Sequence, residues 1–268
     1  MPGVVSPGPR AVSCETDGAM QDPPKIQKGS EPVIVAAIVV GWLALGLALD
    51  DGGGIGRQRL IGAATWLILI ALVWREPRHT QVQVATLVVL ATMLEYSASP
   101  LLGLYTYRLH NVPAFVPPGH GLVYLAAVLV GRSAAVTSRR WIPLVALAVA
   151  TAWAVGGLVL PNRPDTLGAV LFVSFAGFAL RGKTPGVYAA AFTLTAMLEL
   201  YGTHLGTWAW APHDPTGLLS AANPPSGIPG GYCWLDFWAL LLAPSVHALL
   251  VRARLAVRSL RPAPAAPS

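Results

Sequence analysis

Met93-Leu94-Glu95, followed by Gly103-Leu104-Tyr105-Thr106-Tyr107, is nearly repeated as Met197-Leu198-Glu199 and Gly206-Thr207-Trp208-Ala209-Trp210. Each copy places one carboxylate at the end of an apolar run. A Gly-x-aromatic-x-aromatic segment follows, then a Pro-Pro loop (Val116-Pro117-Pro118 and Asn223-Pro224-Pro225) that leads into another apolar run. A carboxylate in an apolar span costs several kcal/mol at mid-bilayer and less near the interface, so two at matching places point to one purpose. The pattern reads as a duplicated all-α membrane protein with a polar site where its halves meet.

Composition agrees. The chain has 268 residues, of which 54% are hydrophobic and 11% charged, whereas a soluble domain carries about 25% charged residues. The net charge of +6 lies between apolar spans instead of forming a patch, so nucleic acid is not an expected partner. Cys14 and Cys233 are far apart and in unlike settings, which gives neither a metal spacing nor a disulfide framework. Residues 1–31 are rich in Pro, Gly, Ser and acids and are expected to form a disordered cytoplasmic tail, not a cleaved signal peptide. Residues 252–268 read as a basic, Pro/Ala-rich cytoplasmic tail.

Eight apolar segments can be read, at 33–49, 56–74, 80–98, 113–131, 141–160, 165–180, 186–203 and 232–251. Helix is the assignment that satisfies the backbone inside lipid. The reading is a polytopic bundle of about eight transmembrane helices in two parallel four-helix repeats, 32–131 and 132–251. Further echoes join the halves: Trp42-Leu43-Ala44-Leu45-Gly46-Leu47 with Trp153-Ala154-Val155-Gly156-Gly157-Leu158, and Arg75 with Arg181 ahead of the two glutamates. On this layout Arg57, Arg59, Arg108 and Arg163 fall on one side and the other fourteen Lys and Arg on the opposite side. That bias predicts a multi-pass protein of the cell membrane with both termini cytoplasmic. Glu95 and Glu199 then sit at one depth, near the outer ends of spans 3 and 7.

Two readings of these glutamates stand side by side. They are helix-end carboxylates reaching interfacial water, or a pair facing the bundle interior, where a protonated carboxyl can act as a general acid. Asp236, flanked by aromatics in Gly231-Tyr232-Cys233-Trp234-Leu235-Asp236-Phe237-Trp238, is expected to face a polar interior. His120 is the nearest counterpart in span 4, and His204 follows Glu199 by five residues. Both are candidate partners of the acids, with a structural hydrogen-bonded role as the alternative. No His-x-x-x-His or His-Glu-x-x-His spacing exists, so no metal is expected. Tyr105, Tyr107, Trp208 and Trp210 are either an interfacial aromatic belt or the wall of an apolar pocket able to stabilise a cation. The loop from Ala211 to Gly231 reads as a lid or re-entrant cap over the outer end of the bundle, with Asn223 placed to orient a substrate head or a water.

The Glu95, Gly103-x-Tyr105-x-Tyr107, Val112-Pro113 and Val116-Pro117 series ahead of an apolar span resembles the membrane carotenoid-biosynthesis family, over roughly residues 80–131 with an echo in 186–251. The resemblance implies hydratase-like chemistry, in which water adds across the terminal double bond of an acyclic carotenoid. Such a reaction needs a proton donor, a shielded tertiary cation and a placed water. Glu95, Glu199 and Asp236 are the candidate acid, base and water-orienting groups. Cyclisation of a prenyl chain begins with the same protonation. The expected partners are a lipophilic small-molecule substrate and membrane lipid, with no cofactor. A small lipid or solute transporter, and a scaffold of a cell-envelope complex, remain open alternatives.

Overall fold

A computed structural model of the chain describes residues 31–160 and 163–259. The N-terminal tail and most of the C-terminal tail expected from the sequence lie outside the described residues. Among the described residues the architecture is all-helical apart from two three-residue strands. Each of the eight apolar segments is one helix: α1 (Glu31–Asp50), α2 (Ile55–Val73), α3 (Arg78–Tyr96), α4 (Val116–Gly131), α6 (Trp141–Val159), α7 (Thr166–Arg181), α8 (Pro185–His204) and α9 (Ile228–Ser259). A single turn, α5 (Ala134–Thr137), follows α4.

Among the described residues five helices are long and apolar enough to cross a membrane: α1, α2, α3 with its extension to Leu101, α6 and α9. Helices α4 and α7 are apolar but only 16 residues long, and α8 carries Glu199 and His204. Large side chains such as Leu60, Leu67, Leu144 and Val173 stand at the surface of the bundle. An exposed apolar coat of this extent suits lipid and not water.

Helix α4 is the hub. Thirteen of its 16 residues are buried, as expected for a helix apolar on all sides. It packs on α1, α2, α3 and α8, while α9 packs on α3, α7 and α8. Glycine sets the closest approach: a methyl group at Gly131 of α4 would collide with the Val187 backbone of α8, and one at Gly186 would stand 2.6 Å from the Gly131 carbonyl oxygen. Small residues let helix backbones touch where lipid offers no hydrophobic drive to association.

The sequence reading is corrected at both ends of α9 and at the start of α4; α9 runs on to Ser259, eight residues past the expected 251, so the first part of the expected C-terminal tail is helix. Helix α4 starts at Val116, because Pro117 and Pro118 occupy its first turn, where the missing N–H costs nothing. Helix α9 starts at Ile228, four residues before the expected span, and Pro229 holds the matching place. The Asn223-Pro224-Pro225 segment lies in the preceding loop and is not the counterpart of Val116-Pro117-Pro118.

Candidate functional site

Helix α3 does not stop at Glu95. It widens into a π-helical turn, Ser97–Leu101, with Pro100 inside. Gly103 then ends it at φ 66, as Gly206 ends α8 at φ 69, a left-handed conformation that glycine adopts without steric cost. Each glycine turns the chain back over the helix it has just left. Strands β1 (Tyr105–Tyr107) and β2 (Trp208–Trp210) follow and pair antiparallel, Tyr105 with Trp210, Thr106 with Ala209 and Tyr107 with Trp208. Backbone bonds from Arg108 N to Thr207 O and from Ala211 N to Leu104 O, both 2.9 Å, extend the ladder at its two ends.

Alternation along these strands aims each aromatic pair at the glutamate of its own helix. The Tyr105 and Tyr107 hydroxyls both donate to Glu95 Oε2 at 2.7 Å. The indole N–H groups of Trp208 and Trp210 donate to Glu199 Oε2 at 2.9 and 3.2 Å. Burial first, and then the charge of Glu95, pushes both tyrosine hydroxyls well above the ordinary phenol range, so each keeps its proton and acts as donor. The four rings also touch one another, Tyr105 on Trp210 with centroids 4.7 Å apart and Tyr107 edge-on to Trp208 at 6.1 Å. The aromatics therefore form a clamp over the carboxylates. They are not a belt on the bundle surface.

The second oxygen separates the two glutamates. Glu95 Oε1 lies 2.7 Å from His120 Nε2, so both of its oxygens are engaged. Glu199 receives both indole bonds on Oε2. His120 stacks on Tyr232 of α9, centroids 5.0 Å apart, and Tyr232 lies within electrostatic reach of both glutamates. His120 and Tyr232 are each the fifth residue of their helix, in Val116-Pro117-x-Gly119-His120 and Ile228-Pro229-x-Gly231-Tyr232.

These groups line one cavity of about 470 Å³. Its remaining wall is almost wholly apolar, with Trp42, Leu47, Phe115, Leu171 and Trp238 among its residues. A volume in the range of about 300–1,000 Å³ with a few convergent polar groups is typical of a small-molecule site. Both glutamates are buried, as is His120.

Three expected site residues lie elsewhere. Asp236 is buried on α9 one turn beyond Tyr232, outside the cavity wall, and its Oδ2 has no hydrogen-bond partner among the described residues. His204 is exposed at the end of α8 and faces a separate groove. Asn223 is exposed, and its Oδ1 accepts from the Trp210 backbone N–H at 3.0 Å. It braces β2 from outside the cavity.

Two other acids hold the clamp in place. Asp165 is fully buried and caps α7 by accepting from Gly168 N at 3.1 Å. It also accepts from Ala222 N at 3.0 Å and Ser226 N at 2.6 Å, which ties the loop after β2 to the bundle. Asp50, equally buried, meets Arg108 Nη2 at 3.3 Å and so ties down the residue after β1.

Sequence reading missed Tyr232 as a site residue, although the shared Pro-x-Gly spacing before His120 and Tyr232 was available. Asp165, just ahead of the apolar run of α7, is a readable N-cap. Among the described residues no three His, Cys, Asp or Glu side chains gather in a way that could hold a metal ion. No family model, curated protein or solved structure matches the chain.

Proposed function

We propose that the chain is an integral membrane enzyme that protonates a lipophilic isoprenoid of the carotenoid type, leading to hydration or cyclisation. One observation carries this reading: two buried carboxylates with different donor sets face a single, mostly apolar cavity. The residues responsible include those on which the sequence resembles the carotenoid-biosynthesis family, Glu95, Tyr105 and Tyr107.

Residue chemistry divides the labour. An indole N–H only donates, so the two bonds to Glu199 Oε2 leave Oε1 as the atom that carries a proton. Glu199 delivers that proton to the terminal alkene carbon, and a tertiary cation forms beneath the rings of Tyr105, Trp208 and Trp210. Aromatic faces attract such a cation by about 0.5–2 kcal/mol each. Water entering the cavity adds its oxygen to the cation and loses a proton to the Glu95–His120 pair, and that proton returns to Glu199 to close the cycle. In cyclisation a second double bond attacks the cation, and the proton then leaves carbon for the Glu95–His120 pair and returns to Glu199 as in hydration.

The finer architecture belongs to the same proposal: eight spans in two parallel four-helix repeats, with both termini cytoplasmic. Three features support it. Strand pairing is symmetric about Thr106 and Ala209, which occupy the same place in the two motifs. The fourth helix of each half packs on the third of the other, α4 on α8 and α9 on α3. The fourteen-to-four partition of basic residues follows the same layout. The clamp then lies at the outer leaflet.

Glu199→Gln is the test. Its amide oxygen still accepts the indole bonds, but the side chain has no proton to give. Product formation is expected to stop while expression and membrane insertion persist, measured by extracting isoprenoids from cells with and without the variant. Full turnover by the variant would refute the assignment. A lipid that is redistributed but chemically unchanged by the native protein would replace catalysis with transport.

A further inference from the structure

The carboxylate cavity is not a closed room. A second apolar groove, also of about 470 Å³, runs between α1, α4 and α8. Val39 and Val123 are buried along it, whereas Met197 and Leu200 on α8 are each about half exposed at its rim. The groove therefore opens toward the side of the bundle that carries the apolar coat. Its polar residues are Tyr201 and His204, both at the C-terminal end of α8. Leu43 of α1 and Leu198 of α8 line this groove and the carboxylate cavity alike, so the two spaces share a wall.

We propose that this groove is the lateral entrance from the lipid phase and the seat of the substrate's hydrocarbon tail, with Leu43 and Leu198 between tail and reacting end. The inference rests on the reading of the carboxylate cavity as an isoprenoid site and adds the shape of the molecule that fits it: a long acyclic chain. Away from the His204 end the groove offers no hydrogen-bonding side chain among the described residues, so its occupant is hydrocarbon there. Each space alone suits a ligand of ordinary small-molecule size. Together they suit one too long for either. Leu198 immediately precedes Glu199 in α8, so a chain passing this residue brings its terminus to the proposed proton donor. Side entry also spares the ligand a passage through water, and the β1–β2 clamp need not open.

The test uses the full-length protein in lipid nanodiscs with two probes, squalene as a long acyclic isoprenoid and myrcene as a short one, with retained ligand measured by mass spectrometry. Ala44 lines the groove without lining the cavity, so Ala44→Trp fills the groove alone. Squalene retention is expected to fall about tenfold, equivalent to about 1.4 kcal/mol, with myrcene retention unchanged. Met197→Trp, on the exposed rim, should act in the same direction without disturbing the core. Equal squalene retention by both variants and the native protein overturns the inference and leaves a groove filled by bulk acyl chains. Native protein that retains neither probe overturns the isoprenoid reading along with it.

Discussion

Replacing Tyr107 with Phe isolates a single interaction of the clamp. The hydroxyl donates to Glu95 Oε2 at 2.7 Å, and both residues are at most 5% exposed. Phenylalanine keeps the ring, and with it the edge contacts to Tyr105 and Trp208 at 5.7 and 6.1 Å. Hydrogen bonds to a charged partner contribute about 1.5–3 kcal/mol, and neutral ones about 0.5–1.5. Polar contacts in bilayers measured by double-mutant cycles average about 0.6 kcal/mol, because the unfolded chain also finds partners in the membrane. The Glu95 bond should exceed that average, since three donors converge on one carboxylate and few unfolded conformations can supply as many. Tyr107→Phe is therefore expected to cost about 1.5 kcal/mol in the native background and about half as much in the Glu95→Gln background, where the acceptor is a neutral amide. The assay is reversible unfolding in mixed micelles for the native protein, Tyr107→Phe, Glu95→Gln and the double variant, which form one cycle. Equal losses in the two backgrounds would show that the hydroxyl does not depend on the carboxylate, and the clamp would have to be abandoned.

Other consequences are local. Gly202 lies one turn beyond Glu199 on α8, and a methyl group there would overlap the Trp208 indole. Gly202→Ala should displace that ring and lower product formation about 10- to 100-fold, as small misplacements at a reacting centre do, while circular dichroism stays unchanged. Gly131→Ala forces α4 away from the α8 backbone, with an expected loss of about 1–3 kcal/mol in the same unfolding assay. Gly41→Ala, which meets nothing within 4 Å, is the control and should be neutral or slightly stabilising. Asp165→Asn keeps one acceptor for Gly168 and Ala222 but turns an N–H₂ toward the Ser226 N–H. Leaving that donor unpaired should cost about 1–3 kcal/mol and speed proteolysis of the 211–227 loop.

What the sequence displayed, and what it hid, divides along physical lines. Apolar helices announce themselves by composition, so all eight apolar segments were readable as helices. Their ends were less so. Gly230 and Gly231 looked like loop, yet they lie inside α9, and the bare Cα of Gly230 lets that helix rest on the α7 backbone. That contact is tertiary and leaves no periodicity in the chain. Alternation placed Tyr105 with Tyr107, and Trp208 with Trp210, on common faces. It could not say that those faces turn back onto Glu95 and Glu199, because the reversal depends on Gly103 and Gly206. Asp236 carries the charge in its stretch of α9, yet of the two it is Tyr232, one helical turn earlier, that reaches the cavity.

The difference between the two clamps gives the proposed reaction a direction. If duplication produced two equal sites, the donors would have no reason to diverge. Instead one carboxylate is held by phenols and a histidine, the other by indoles. In the proposed reaction a phenol or an imidazole can accept a proton from water in the cavity as it donates its own, so the Glu95 side serves as the relay. Indole nitrogen accepts none at ordinary pH; on the same proposal the Glu199 side is a terminus, where a proton stays until substrate takes it. Exchanging the two should therefore matter more than weakening either. Trp208→Tyr with Trp210→Tyr puts phenols beside Glu199, as on the Glu95 side, and gives it a relay of its own. Proton exchange with water should then compete with transfer to the alkene, and product should fall although the cavity still binds myrcene. A double variant with native turnover would mean that the donors serve geometry alone, and the assignment of acid and base to particular glutamates would lose its chemical basis.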